Sequence, residues 1–342
     1  CSGGLVPDVS PKPPTERTVL RTLRWLGRGL VWPVWNRDAG RLRAPVRAFL
    51  PLVLTFLALA VVQTAIRTRF EHPVREPLEL LGLSAILVAG VLVSARLVDR
   101  RPVSEYGLSL DRRWWKSFAV AGGVGTAVNA GAVAVSVGAG WASVTGYVQS
   151  PGVLSFLPAT AVTFALVAVA ASWEEFVFRA AMLKNVAEGA ESTLGRVPAV
   201  VVGVLLSSLV FAALHGGKVD DPTQYGYYLE AGLLFGTVYV LTGDLSLPVG
   251  FHVFYNYTQG LFGLGVSQAT PELVALELVG PAAWVGEEGL VHVVFAAVGG
   301  ALLVAYVRWR DGPLRVRDRL TRWTPTTARG GNPHDRREPS AE

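Results

Sequence analysis

Apolar residues in this chain come in runs of about twenty, separated by short polar stretches. The runs lie at about 48–66, 79–97, 117–140, 156–178, 197–215, 227–242, 248–266 and 289–307. At 1.5 Å of rise per residue each is roughly long enough to cross a hydrocarbon core as a helix, although 227–242 is short. The pattern predicts an all-α fold: a polytopic transmembrane helical bundle of about eight spans. Run 117–140 is dense in small residues, including Gly122, Gly123, Gly125, Gly131 and Gly138, and reads as a surface for close helix packing.

Composition narrows the class further. Of 342 residues 51% are hydrophobic and 17% charged, and the mean hydropathy is +0.39. Soluble domains carry about 25% charged residues, so an ordinary globular enzyme is excluded. A single cysteine, Cys1, excludes a disulfide scaffold. The expected partner at this point is the lipid bilayer, not nucleic acid.

Charge sets the orientation. Lys and Arg number nine in 12–47, six in 96–116, three in 179–196 and nine in 308–337, against three in 67–75 and one at Lys218. The alternate segments that are rich in bases belong inside, which puts both termini in the cytoplasm of a multi-pass cell-membrane protein. A lipid-modified Cys1 fits this badly, because a lipidated terminus would lie outside the cytoplasm while the bases of 12–47 belong inside. Trp141 and Trp309 fall at span ends, where interface aromatics belong. The expected organisation is a disordered start and basic interfacial helix over 1–47 and N-terminal transmembrane helices over 48–155. A core over 156–266, a loop and last span over 267–310 and a basic mobile tail over 311–342 follow.

Ionisable residues inside spans are costly and ask for an explanation. Trp173-Glu174-Glu175-Phe176-Val177-Phe178-Arg179 closes one apolar run, Phe211-Ala212-Ala213-Leu214-His215 closes another, and His252-Val253-Phe254-Tyr255-Asn256 opens a third. Glu174 and Glu175 are adjacent, so on a helix they point about 100° apart and take different roles. Glu175 and Arg179, four residues apart, can pair. Glu174 then lacks a local cation and is placed to act as a general base. Phe211 with His215, and His252 with Asn256, share helix faces at the same spacing. His72 and His334 lie in polar stretches, and His292 has no polar company.

These residues converge only under one arrangement. If the fourth and fifth runs were simple spans, Glu174 and His215 would lie at opposite faces. A hairpin with its tip at 190–195 brings them level, because that tip lies midway between them. The first helix then continues to about Glu188, His252 enters from the same side, and 216–226 becomes an irregular segment partly buried in protein.

Glu-Glu-x-x-x-Arg, Phe-x-x-x-His and His-x-x-x-Asn, in this order on successive membrane helices, resemble the CPBP (CAAX proteases and bacteriocin-processing enzymes) family. It is also called the Abi or type II CAAX prenyl protease family. Thr242-Gly243-Asp244-Leu245-Ser246-Leu247-Pro248-Val249-Gly250-Phe251-His252 looks very like its third motif region. The resemblance covers roughly 155–265 and implies an intramembrane endopeptidase whose site faces the cytoplasm and whose partner is a membrane-associated protein or peptide substrate. It implies Glu174 as general base, His215 positioning the water, and His252 with Asn256 donating to the oxyanion. Glu175, Arg179 and Phe211 would support the site.

Glu174, His215 and His252 would also make a two-histidine, one-carboxylate zinc set; the bare sequence does not separate the two versions. The metal-free one is favoured because His252 and Asn256 suit an oxyanion pair. Two rivals remain: a non-catalytic immunity or scaffold protein of the same fold, and a proton-relaying transporter, which would call for an internal repeat that the span pattern does not show.

Overall fold

The computed structural model describes residues 33–150, 152–219, 221–264 and 270–325. The chain divides into two compact units, 1–43 and 44–342. In the first, a short antiparallel pair is described, β1 (Trp35–Asn36) with β2 (Arg41–Leu42). The predicted disordered start and most of the interfacial helix lie outside the described residues.

The second unit is an all-α membrane bundle. Its helices are α1 (Ala44–Arg67), α2 (Arg75–Val93, continued by a π-helical turn to Val98), α3 (Arg112–Gly138) and α4 (Phe156–Glu175). A second π-helical turn, Phe176–Leu183, joins α4 to α5 (Lys184–Leu194) without a break. Then come α6 (Arg196–Leu214), α7 (Tyr225–Thr242), α8 (Ser246–Leu261) and α9 (Leu290–Asp311). Six segments among the described residues are long and apolar enough to span: 44–67, 75–98, 112–138, 156–194, 196–214 and 290–311. The runs at 227–242 and 248–266 form helices as expected. However, α8 has only 16 residues, and α7 carries four tyrosines and Glu230.

The fourth run differs most from a simple span. It does not stop at 178; the helix continues to Leu194, 39 residues in all. That is about 58 Å at 1.5 Å per residue, more than a bilayer with its headgroups. Arg179 and Lys184, counted by charge among the inside bases, are therefore buried in the bundle rather than in a loop. The reversal comes at Gly195, whose φ of +77° suits a residue without Cβ. The tip lies where the levelling argument requires it.

The glycine-rich face of α3 packs along α8. A Cβ on Gly125 would sit 2.9 Å from the Phe251 carbonyl oxygen, and one on Gly250 would overlap the carbonyl of Phe118. Asn129, buried in the same face, donates through Nδ2 to Tyr255 O at 2.6 Å and Thr258 Oγ1 at 2.8 Å. Gly250→Ala is expected to lower stability by about 1–3 kcal/mol through overpacking, read as a lower thermal midpoint in detergent. Gly123→Ala, with open space at its Cβ, is the control. Equal midpoints for the two variants would reject the close approach.

Two segments read as loops are not irregular. β3 (Ala142–Gln149) pairs antiparallel with β4 (Glu272–Leu278), Tyr147 opposite Val274, so a two-stranded clasp caps the end of the bundle where α3 finishes and α9 begins. At the other end, the stretch after α9 is packed over its described part. Leu320 is fully buried, Arg317 Nε donates to Leu241 O at 2.8 Å, and Thr321 Oγ1 to Glu191 Oε1 at 2.9 Å. Trp323 Nε1 donates to Asp99 O at 3.0 Å. The tail read as mobile over 311–342 thus begins as a strap; residues 326–342 lie outside the described residues. Beneath the strap, Asp99, Arg101 and Glu188 form a buried charged cluster with Arg47.

Candidate active site

The hairpin of α4–α5 with α6 brings the three motif clusters to one level. Glu175 is fully buried, ion-paired with Arg179 and hydrogen-bonded to His252. Arg179 Nη1 lies 3.1 Å from Glu175 Oε1, and His252 Nδ1 lies 2.8 Å from the same atom. A carboxylate only accepts, so Nδ1 of His252 carries a proton and Nε2 turns the other way. There it meets Glu174, whose Oε2 is 3.8 Å off. Sequence spacing anticipated the Glu175–Arg179 pair; it did not reveal that Glu175 also fixes the ring of His252. The guanidinium of Arg179 lies over the rings of Phe211 at 4.7 Å and Phe235 at 5.0 Å, a cation–π arrangement that holds a charge where water does not reach.

Glu174 is placed differently from its neighbour. Its side chain keeps 19% of its surface exposed, and its Oε2 has no hydrogen-bond partner among the described residues. Oε2 of Glu175 is likewise without a partner among the described residues; what separates the two glutamates is that Glu175 is anchored through Oε1 and fully buried while Glu174 is partly exposed.

His215 ends α6. Its Nδ1 lies 2.8 Å from the Phe211 carbonyl oxygen, so this nitrogen is the donor and Nε2 is left with a lone pair. The Phe211 ring packs against the imidazole, 4.4 Å between centroids, as the i,i+4 spacing predicts. Tyr228 stacks on its other side at 4.4 Å and 21°. Phe235 stacks on His252 at 4.9 Å and 20°. Asn256 stands one turn beyond His252 on α8.

His215, His252 and Asn256 share the wall of a cavity of about 40 Å³, along with Tyr227, Tyr228 and Tyr255. That is room for water. Lys218 and Glu287 also line it. Glu287 lies in the loop before α9, where burial and the neighbouring Glu288 push its carboxyl up to about 7. Segment 216–226, expected to be irregular and partly buried, is half-buried to exposed over its described residues, with α7 starting at Tyr225.

Tyr228, Phe235 and Glu287 were not legible as site residues. The nearest sequence signal is the tyrosine cluster Tyr225, Tyr227 and Tyr228 at the start of α7, which has no helical periodicity to mark it. For zinc, the Nε2 atoms of His215 and His252 are the available donors. However, the described residues present no group of three or more His, Cys, Asp or Glu side chains placed to hold a metal ion.

Residues 156–258 match the family model described as Type II CAAX prenyl endopeptidase Rce1-like. The stretch contains all three motif clusters and bears out the resemblance carried by them. No curated protein and no solved structure matches the chain at significant similarity.

Proposed function

We propose that this membrane protein, with its match to a CAAX prenyl endopeptidase model over 156–258, is an intramembrane endopeptidase. It hydrolyses peptide bonds of membrane-associated proteins or peptides. The observation that carries the reading is the division of labour between adjacent carboxylates: the fully buried Glu175 holds Nδ1 of His252 at 2.8 Å, while the partly exposed Glu174 faces the other ring nitrogen at 3.8 Å.

In this reading Glu174 takes a proton from a water that attacks the scissile carbonyl carbon, and His215 Nε2 positions that water by accepting a hydrogen bond from its other O–H, which stays on the oxygen. The oxygen of the tetrahedral intermediate becomes an anion, met by the Asn256 amide and by Nε2–H of His252. The latter requires His252 as an imidazolium, since Nδ1–H is already given to Glu175. Two carboxylates close to the ring supply its counter-charge. Protonated Glu174 then passes its proton to the leaving amine as the C–N bond breaks, giving a carboxylic acid and an amine; the acid's proton ends on the amine, leaving a carboxylate and an ammonium.

The test is cleavage of a library of bilayer-anchored peptides, prenylated and unprenylated, by the full chain in liposomes, read by mass spectrometry with and without zinc and chelator. Cuts at defined bonds that vanish with Glu174→Gln support the reading. A library left whole under every condition rejects it.

A further inference from the structure

The strap closes one side of a second cavity, of about 420 Å³, at the end of the bundle where α9 finishes and α3 begins. Four arginines share its wall: Arg113 on α3, Arg310 on α9, and Arg317 and Arg319 on the strap. Three of them converge on one carboxylate. Asp311 accepts from Arg310 Nε and Nη2 at 2.8 Å each, from Arg317 Nη2 at 2.9 Å and from Arg113 Nη2 at 2.5 Å. One negative charge thus serves three positive ones. Arg319 has only a carbonyl, Thr242 O at 3.2 Å, among the described residues.

The other acids of the wall are engaged elsewhere. Asp111 accepts from Trp114 N at 2.8 Å at the start of α3, and Asp244 from Ser246 N at 2.7 Å at the start of α8. Each faces the positive end of a helix, which offsets part of its charge. Asp318 pairs with Arg196 and Arg322. The surplus at the cavity is therefore guanidinium, and its exposure is graded. Arg310 keeps 15% of its side chain exposed, Arg317 40% and Arg113 68%, so the cluster reaches from packed protein to the surface. Guanidinium groups gathered in this way suit the oxygens of a phosphate, which they can meet two at a time.

The depth of the cavity says how that phosphate arrives. The apolar segments 112–138 and 290–311 begin and end here. Trp115 and Trp309, 52% and 77% exposed, stand next in sequence to the wall residues Trp114 and Arg310. Exposed tryptophans of spanning helices belong at the headgroup level. Arg112, Lys116, Arg308 and Arg315 are exposed nearby in sequence, and basic pockets between spans gather anionic headgroups. On α9 a stripe of exposed apolar side chains, Val294, Val298 and Leu302, leads along the helix toward this level and offers acyl chains a surface. A free phosphate has no use for such a stripe.

We propose that this cavity binds the phosphate of an anionic phospholipid headgroup, held by Arg113, Arg310, Arg317 and Arg319. The bound phosphate joins α3, α9 and the strap. Because Arg317 Nε also donates to Leu241 O at 2.8 Å, it ties all three to the end of α7. The site stands whether or not the protein cuts peptides.

The test uses the full chain, purified in detergent and stripped of lipid. It is titrated with short-chain phosphatidylglycerol, with phosphatidylcholine of the same chain length and with inorganic phosphate, read by thermal midpoint and by native mass spectrometry. Phosphatidylglycerol is expected to bind saturably and raise the midpoint, and the other two to bind at least about tenfold more weakly. Arg113→Gln with Arg319→Gln should weaken phosphatidylglycerol by about 10- to 30-fold, the effect of removing two bases from a lipid surface. Arg112→Gln with Arg315→Gln, exposed and off the wall, should leave it unchanged. Arg113→Gln alone, at the most exposed of the four, shows a smaller loss in the same direction should the first pair fail to fold. Equal binding of phosphatidylcholine, no saturable binding, or equal weakening by both pairs would overturn the proposal. Inorganic phosphate that binds as tightly as phosphatidylglycerol would overturn the lipid and reassign the cavity to the free anion.

Discussion

Glu174→Gln is expected to lower the turnover of a bilayer-anchored peptide by about 10²- to 10⁴-fold, the range that a positioned general base contributes. KM should change little, because the side chain keeps its shape and loses only its ability to take a proton. Folding should be intact: Glu174 has no ion pair with Arg179 to lose and retains part of its surface in the open. The measurement is a progress curve for fragment release, with circular dichroism and thermal midpoint on the same preparation. Wild-type turnover by a folded Glu174→Gln protein would remove Glu174 from the chemistry. Wild-type biological activity in a folded, non-cleaving variant would favour the immunity or scaffold reading.

The largest stability effect belongs to Arg179. Arg179→Met strips the cation from a fully buried carboxylate while keeping most of the side-chain volume against Phe211 and Phe235. Breaking one side of a buried pair costs about 3–5 kcal/mol, whereas replacing both partners is far milder. Arg179→Met alone should thus accumulate poorly or melt early, and Glu175→Gln with Arg179→Met should recover much of the lost midpoint. The double variant should stay inactive, because the neutral amide no longer supplies a carboxylate for Nδ1 of His252. A single variant that melts with the wild type, or a double variant that cuts normally, would contradict the role given to Glu175.

Much of this was readable from residue spacing. Adjacent glutamates on a helix cannot share a direction, and Arg179 lies one turn from only one of them, so the split between Glu174 and Glu175 follows from geometry. The level of His215 followed from equal distances to a turn, and Gly195 supplies that turn. The second bond of Glu175, to His252, was not readable, because it joins helices 77 positions apart in sequence and depends on how α4 and α8 cross. The aromatic rings flanking the two imidazoles were hidden for another reason. In a membrane helix nearly every face is apolar, so Tyr228 and Phe235 leave no pattern against their background. The clasp pairs stretches more than a hundred residues apart, each short and polar enough to pass for a loop. The strap is read as a tail by composition, since its charges find partners only on the folded bundle.

The π-helical turn from Phe176 to Leu183 follows directly after the two glutamates, and all eight of its residues are buried. Such turns behave as one-residue insertions into an α-helix and recur at functional sites. Shortening this stretch by one residue would regularise the helix and rotate everything beyond it by roughly 100°. Asn185 and Glu188 would swing off the cluster beneath the strap, or else the glutamates would swing away from His252. The surplus residue therefore acts as a phase adjuster between two ends of one long rod, letting the half with Glu174 and Glu175 and the half with Asn185 and Glu188 each face their own partners. Substitutions within that stretch should be tolerated far better than any change in its length.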